Sequence, residues 1–294
     1  MKKNKLILIL GPTAVGKTKI AIELAKENNG EIISGDSMLV YKGMDIGTAK
    51  PGKEELASVP HHLIDIINPD QEFTVSDFVK LAGQKIKEIT GRGKVPIICG
   101  GTNYYIDTLL EGEFDAPAGD EAIREKYKNQ NGLWEKLKAI DPVSAEKIHP
   151  NNKKRVIRAL EIFELTGKPM SSLPKTSGLS EKYDIIKIGL IRDKEELKQR
   201  INNRIDKMFE DGLIDEVKKL IDKGILKSKT ASCAIGYKEV IESGLPGLSG
   251  LPGLKDVIKK NTRQLVKRQL TWLRKDDKIK WFDISKEKKY EKFF

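Results

Sequence analysis

Residues 11–18 read Gly11-Pro12-Thr13-Ala14-Val15-Gly16-Lys17-Thr18, the spacing G-x-x-x-x-G-K-[ST] of a phosphate-binding loop. Such a loop turns several backbone N–H groups towards the oxygens of a di- or triphosphate, and its glycines let the backbone approach the anion. Lys17 adds a point charge, and the Thr18 hydroxyl is placed to ligand Mg²⁺. A second chemistry-bearing residue is Asp36, within Ile33-Ser34-Gly35-Asp36-Ser37. It can serve as a proton acceptor or as the N-cap of a helix, and the local sequence leaves both open. Val95-Pro96-Ile97-Ile98-Cys99 runs into Gly100-Gly101-Thr102, not into the Asp with which P-loop ATPases hold their Mg²⁺. Leu63-Ile64-Asp65 is a weak substitute. That argues against an ATP-driven machine and leaves a kinase or another transferase.

These residues need a scaffold that gathers strand ends at one edge. Lys5-Leu6-Ile7-Leu8-Ile9-Leu10 is an apolar run of strand length directly before the loop, and Ile20, Leu24 and Ala21, Ala25 follow it at helical spacing. Strands are expected at 5–10, 31–34, 62–66, 95–98 and 184–191, with a short one at 279–284. Helices are expected at 17–28, 75–90, 103–110, 194–211, 212–223 and 255–275. The alternation implies an α/β fold, a P-loop NTPase-like parallel sheet core flanked by helices. Asp36 then falls at the C-terminal edge of the second strand, where open α/β sheets build their sites. Between 115 and 182 strand signals vanish, and helical patterns at 119–130, 133–140 and 151–166 are punctuated by Pro142, Pro150 and Pro169. We therefore expect an inserted all-helical subdomain at 115–182 in a core formed by 1–114 and 183–294. The Gly/Pro-rich run at 244–254 reads as an irregular surface connection.

A chain of 294 residues suits one large domain or a core with an insert. No apolar run reaches the roughly 18 residues of a membrane span, and the five apolar residues after the basic N-terminus are too few for a signal sequence. A cytoplasmic monomer with no membrane partner is expected. Cys99 and Cys233 lie far apart, and His61, His62 and His149 add no zinc-site spacing. The net charge is +11, and residues 255–294 carry 14 Lys/Arg against 6 Asp/Glu, so most of the surplus sits at the end of the chain. That distribution suggests a polyanion partner. In the helix at 255–275, Arg263, Lys267 and Arg274 share one face and Val266, Leu270 and Leu273 another. The pattern fits an RNA backbone track, or simply an amphipathic surface helix.

Asp36-Ser37-Met38-Leu39-Val40-Tyr41-Lys42-Gly43-Met44-Asp45-Ile46-Gly47-Thr48-Ala49-Lys50-Pro51, taken with the loop at 11–18 and Gly100-Gly101-Thr102, resembles the tRNA dimethylallyltransferase (tRNA delta(2)-isopentenylpyrophosphate transferase) family. Further matches are Arg155-Val156-Ile157-Arg158-Ala159-Leu160-Glu161, Ala234-Ile235-Gly236-Tyr237-Lys238 and Thr262-Arg263-Gln264 with Lys267-Arg268-Gln269-Leu270-Thr271-Trp272. The resemblance runs in order through nearly the whole chain, and a bacterial-type member without the zinc-finger extension of eukaryotic relatives is expected. Cys233 stands where many relatives carry Gln or Arg, and a packing role is expected for it.

The resemblance implies transfer of a dimethylallyl group from dimethylallyl diphosphate to N6 of the adenine directly 3′ of the anticodon, in tRNAs reading codons that begin with U. The loop Gly11, Pro12, Thr13, Ala14, Val15, Gly16, Lys17, Thr18 would then hold a diphosphate leaving group rather than ATP, with Mg²⁺ on Thr18. Asp36 would be the base. Thr102 and Arg204 would touch the diphosphate or the reacting centre, with Arg200, one turn earlier, as the alternative to Arg204. Asp36, Ser37, Met38, Leu39 and Thr102 would frame the adenine. Arg124, Arg155, Arg158, Arg263 and Lys267 would grip the tRNA anticodon stem-loop. The alternatives are a P-loop nucleotide or small-molecule kinase, an adenylate isopentenyltransferase acting on free nucleotide, and an RNA-binding module with a vestigial phosphate site.

Overall fold

The computed structural model describes residues 3–245 and 250–286. Strands β1 (Asn4–Leu10), β2 (Gly30–Ser34), β3 (His61–His62), β4 (Val95–Cys99), β5 (Tyr183–Ile191) and β6 (Lys280–Asp283) form one sheet in the order β3-β2-β4-β1-β5-β6. Every pairing is parallel. Central β1 pairs through Ile7 with Ile97 of β4 and with Ile186 of β5. Successive residues Leu6 to Leu10 are all buried, so both faces of β1 are covered, as parallel sheets require.

The helices are α1 (Lys17–Glu27), α2 (Lys53–Ser58), α3 (Val75–Gly91), α4 (Asn103–Glu111), α5 (Glu121–Lys128), α6 (Leu133–Ile140), α7 (Pro142–Lys147), α8 (Lys153–Thr166), α9 (Lys194–Glu210), α10 (Leu213–Asp222), α11 (Tyr237–Glu242) and α12 (Leu251–Leu273). Local chemistry sets several starts. Thr74 and Asp77 exchange backbone and side-chain hydrogen bonds in a capping box at α3. Pro142 occupies the first turn of α7, where its missing N–H costs nothing.

The chain forms two compact units, one from the residues up to Leu110 and from Leu179 onward, the other from Glu111 to Gly178. The first is built on the sheet and its flanking helices. The second contains α5 to α8 around Tyr127, Leu133, Leu137, Val156 and Leu160. Its bounds, 111–178, lie slightly before the 115–182 read from the sequence, and an antiparallel bridge between Phe114 and Lys175 interrupts its otherwise helical character.

Two expectations need correction. The strand at 62–66 shrinks to His61–His62, because Leu63 and Asp65 adopt positive φ. The N–H groups of Asp65, Ile66 and Ile67 bond instead to the carbonyls of Leu39 and Val40. In the Gly/Pro-rich run, residues 246–249 lie outside the described residues, and α12 already begins at Leu251 with a proline in its first turn. Among the described residues no helix is long and apolar enough to cross a membrane.

Candidate active site

The phosphate loop occupies the turn between β1 and α1. Gly11 and Gly16 take φ of +147° and +109°, and a Cβ at Gly11 would lie 2.8 Å from the Leu190 carbonyl oxygen. Ala14 also takes a positive φ of 62°, a strained conformation for a residue with a Cβ. Gly16 caps α1 without a side-chain acceptor, so the first-turn N–H groups are left to an anion. Lys17 Nζ folds back to donate to the carbonyls of Gly11 (3.0 Å) and Pro12 (2.8 Å). Burial draws its pKa below the ordinary lysine value, and the negative charge of Asp36 opposes that shift.

Three arginines reach the loop from the end of β5 and from α9. Arg204 donates to Thr13 Oγ1 at 3.3 Å and to the Thr48 carbonyl at 2.8 Å. Burial lowers its pKa, with Asp36 opposing. Arg200 donates to the Ala14 carbonyl at 2.9 Å, so both candidates of α9 attend the loop, Arg204 half-buried and Arg200 exposed. Arg192 donates to the Val15 carbonyl at 3.3 Å and pairs with Glu196. It was not singled out in the sequence, although it directly follows a strand whose C-terminal edge is the expected place for a site.

Asp36 and Thr102 meet because two glycines let β2 and β4 converge. A Cβ at Gly100 would sit 2.1 Å from the Gly35 carbonyl oxygen. Beyond that contact, the Thr102 N–H donates to Gly35 O, and the Ser37 N–H donates to Thr102 Oγ1 at 3.0 Å. Asp36 Oδ1 accepts the Met38 N–H at 2.9 Å in a local Asx turn. No α-helix follows it before Lys53, so the N-cap alternative is not realised. Asp36, Lys17, Thr18 and Arg204 line one cavity of about 530 Å³, together with the apolar Ile32, Leu39 and Ile64. Ser37, Met38 and Thr102 are half-buried beside it.

A divalent ion fits this donor set. Thr18 and Asp36 offer hard oxygen atoms to the cavity, and among the described residues no cluster of three His, Cys, Asp or Glu forms a complete protein cage. Mg²⁺ is commonly held by one or two side chains plus substrate phosphates.

The segment after Asp36 is clamped from behind. Glu216 of α10 accepts the N–H groups of Asp45 (3.1 Å), Ile46 (2.8 Å) and Gly47 (3.1 Å) and the Tyr237 hydroxyl (2.6 Å). Lys50 is nearly fully buried between Asp45 and Asp65. Glu216 carried no sequence signal, because the backbone groups that it holds lie some 170 residues away.

The residues expected to grip RNA divide. In the helical unit Arg124 and Arg158 are committed to Glu161, which is 0% exposed: Arg124 Nε lies 2.8 Å and Arg158 Nη1 2.5 Å from its carboxylate. Glu161 also accepts the Asp120 N–H, and Arg158 donates to the Pro117 carbonyl. Burial alone would raise the Glu161 pKa, but these donors hold it below the ordinary carboxylate value. Both arginines therefore brace their own unit through Glu161. Arg155 lies exposed in the first turn of α8. On α12 and its C-cap, Arg263, Lys267 and Arg274 are exposed, Val266 and Leu273 buried and Leu270 half-buried, which gives the two faces read from the sequence.

His62 pairs with buried Glu31 at 2.7 Å, and His61 Nδ1 contacts the Val59 carbonyl. Cys233 is exposed, so its expected packing role is wrong. Cys99 is half-buried and lines the cavity with Lys17, and burial pushes its thiol up to about 11.

The family model described as IPP transferase matches residues 39–276, and that of Isopentenyl transferase matches residues 4–68. A protein of Thermoanaerobacter pseudethanolicus named tRNA dimethylallyltransferase is 50% identical over 98% of this chain and 94% of its own length. The chain belongs to the tRNA dimethylallyltransferase family. Its members include one from Bacillus velezensis, 48% identical over 97% of this chain and 92% of that one. Among solved structures, the full-length tRNA isopentenylpyrophosphate transferase of Bacillus halodurans is 46% identical, spans 99% of this chain and 93% of that one, and superposes with a TM-score of 0.70. A eukaryotic dimethylallyltransferase described as acting on tRNA is 31% identical, spans 96% of this chain and 74% of that one, and gives a TM-score of 0.79. The family places the chain among the prenyltransferases and gives the parallel sheet its P-loop character.

Proposed function

We propose that this chain transfers a dimethylallyl group from dimethylallyl diphosphate to N6 of the adenine directly 3′ of the anticodon, in tRNAs reading codons that begin with U. The observation that carries the reading is the sharing of one cavity by an anion cradle and a carboxylate, Lys17 and Arg204 with Asp36. The new bond joins C1 of the allyl group to N6. The C1–O bond breaks with its electron pair on the diphosphate, and the N6 proton passes to Asp36. Adenine N6 is a poor nucleophile because its lone pair is delocalised, so a base that takes the proton as the bond forms lowers the barrier. The departing diphosphate gathers charge on oxygens that face donors already fixed in place, namely the loop N–H groups, Lys17 and Arg204. Mg²⁺ held by Thr18 and the diphosphate would neutralise further charge there. Ile32, Leu39 and Ile64 give the cavity an apolar wall suited to a five-carbon chain.

The adenine must leave its stack to reach Asp36, which costs least in a single-stranded loop. Ser37, Met38, Leu39 and Thr102 frame the extruded base. Arg155 of the helical unit and Arg263, Lys267 and Arg274 of α12 meet the RNA backbone, while Arg124 and Arg158 contribute mainly through Glu161. The site is built from one chain, which works as a cytoplasmic monomer.

The test is Asp36→Ala. Turnover with saturating substrates falls by about 10²- to 10⁴-fold, the range of general-base catalysis, while tRNA retention on filters stays within about twofold. Wild-type turnover in this variant removes Asp36 as the base.

A further inference from the structure

We propose that Gln269 is a positioning residue that fixes the spacing between the diphosphate cradle and the adenine-binding side of the cavity. Gln269 lies on α12 and is 8% exposed. Its Oε1 accepts the Thr13 N–H of the phosphate loop at 2.9 Å, and its Nε2 donates to the Gly101 carbonyl at 3.0 Å. One planar amide therefore adds a side-chain tie between the loops that leave the paired strands β1 and β4, beyond their last backbone contact, Gly100 N–H to Ile9 O. Each loop leads directly to a reacting group. The Thr13 hydroxyl receives Arg204, and Gly101 precedes Thr102, whose Oγ1 holds the Ser37 N–H next to Asp36.

Sequence and packing are fitted to this bridge. A Cβ at Gly101 would lie 2.5 Å from Gln269 Nε2, so the second glycine of Gly100-Gly101-Thr102 makes room for the amide. Asn103 Nδ2 donates to the Gln269 backbone carbonyl at 3.4 Å, and Trp272 Nε1 donates to Asp107 Oδ2 at 2.6 Å. Those two contacts set the register of α12 on α4, and with it the reach of the amide. Only a side chain with an acceptor and a donor on one plane satisfies both ends. A carboxylate of the same shape keeps the Thr13 contact, but sets an oxygen against the Gly101 carbonyl and a negative charge beside the cradle.

This role rests on the prenyl-transfer reading for its effect on turnover, but not for its effect on the loop, which inorganic diphosphate reports directly. The experiment compares Gln269→Glu, Gln269→Met and Gly101→Ala with the wild type. The readouts are diphosphate affinity by calorimetry, kcat, the KM for dimethylallyl diphosphate, tRNA affinity and the melting midpoint. Gln269→Glu is expected to weaken diphosphate binding about tenfold and to lower kcat at least about tenfold, because small misplacements of reacting groups are costly. Gln269→Met and Gly101→Ala should lower kcat in the same direction, with tRNA affinity within about twofold for all three. Wild-type diphosphate affinity and kcat in the folded Gln269 variants, with only a lower melting midpoint, would make the residue a packing element and overturn the proposal. A wild type that binds diphosphate but modifies no tRNA would overturn the functional reading instead, leaving the diphosphate comparison to decide the bridge.

Discussion

The Tyr237 hydroxyl donates to Glu216 at 2.6 Å while its ring lies against Gly47, where a Cβ would come within 2.4 Å of a ring carbon. Glu216 in turn holds the backbone of Asp45, Ile46 and Gly47. Tyr237 thus shapes the segment that ends at Thr48, whose carbonyl receives Arg204.

Two variants separate the steric part of this contact from the polar part. Gly47→Ala forces the loop off the ring and should cost about 1–3 kcal/mol of stability, the usual range for overpacking. Tyr237→Phe keeps the ring and removes one donor among four, costing about 1 kcal/mol. Denaturant midpoints should fall in that order. A neutral Gly47→Ala would show that the ring does not confine the loop.

Thiol chemistry should distinguish the two cysteines. Cys233 is exposed, whereas the Cys99 thiol is pushed up to about 11 by burial. At pH 8 Cys99 remains almost wholly protonated, and the thiolate is the reactive form. Iodoacetamide should alkylate Cys233 in the native protein and spare Cys99 until it unfolds, as read by peptide mass spectrometry. Equal labelling rates would contradict the raised pKa of Cys99.

Acid stability should depend on Glu31, buried at the start of β2. Burial opposes its ionisation, but Lys94, His62 and Arg92 prevail and hold the carboxyl at about 2, against an ordinary 4.5. A depressed carboxylate stabilises the fold fully above pH 4.5 and loses that contribution as pH falls towards 2. The shift corresponds to roughly 3 kcal/mol. Glu31→Gln should lower stability at neutral pH by that order and flatten the stability curve between pH 4.5 and 2. An unchanged slope would remove Glu31 from the acid transition.

Local chemistry made much of the fold and the centre of the site legible in advance. The loop at 11–18 is written in consecutive residues, and β1, β2, β4 and β5 are short apolar runs that no other element could use. Asp36 was placed by its position at a strand end. What escaped the sequence depends on distant partners. The apolar residues after His62 resemble a strand, yet their N–H groups serve Leu39 and Val40. Arg124 and Arg158 read as RNA contacts, and nothing local announces that both pair with buried Glu161. Glu216 and Gln269 are ordinary polar residues on amphipathic helices, and only the folded chain brings them to backbone groups of the site.

The most direct measurement of the central claim is a transfer assay with purified protein, Mg²⁺ and labelled dimethylallyl diphosphate, offering unmodified tRNA or AMP as acceptor. Label should enter tRNA alone, at the adenine next to the anticodon. Label in AMP, or in neither acceptor, would contradict the assignment of this cavity to prenyl transfer onto tRNA.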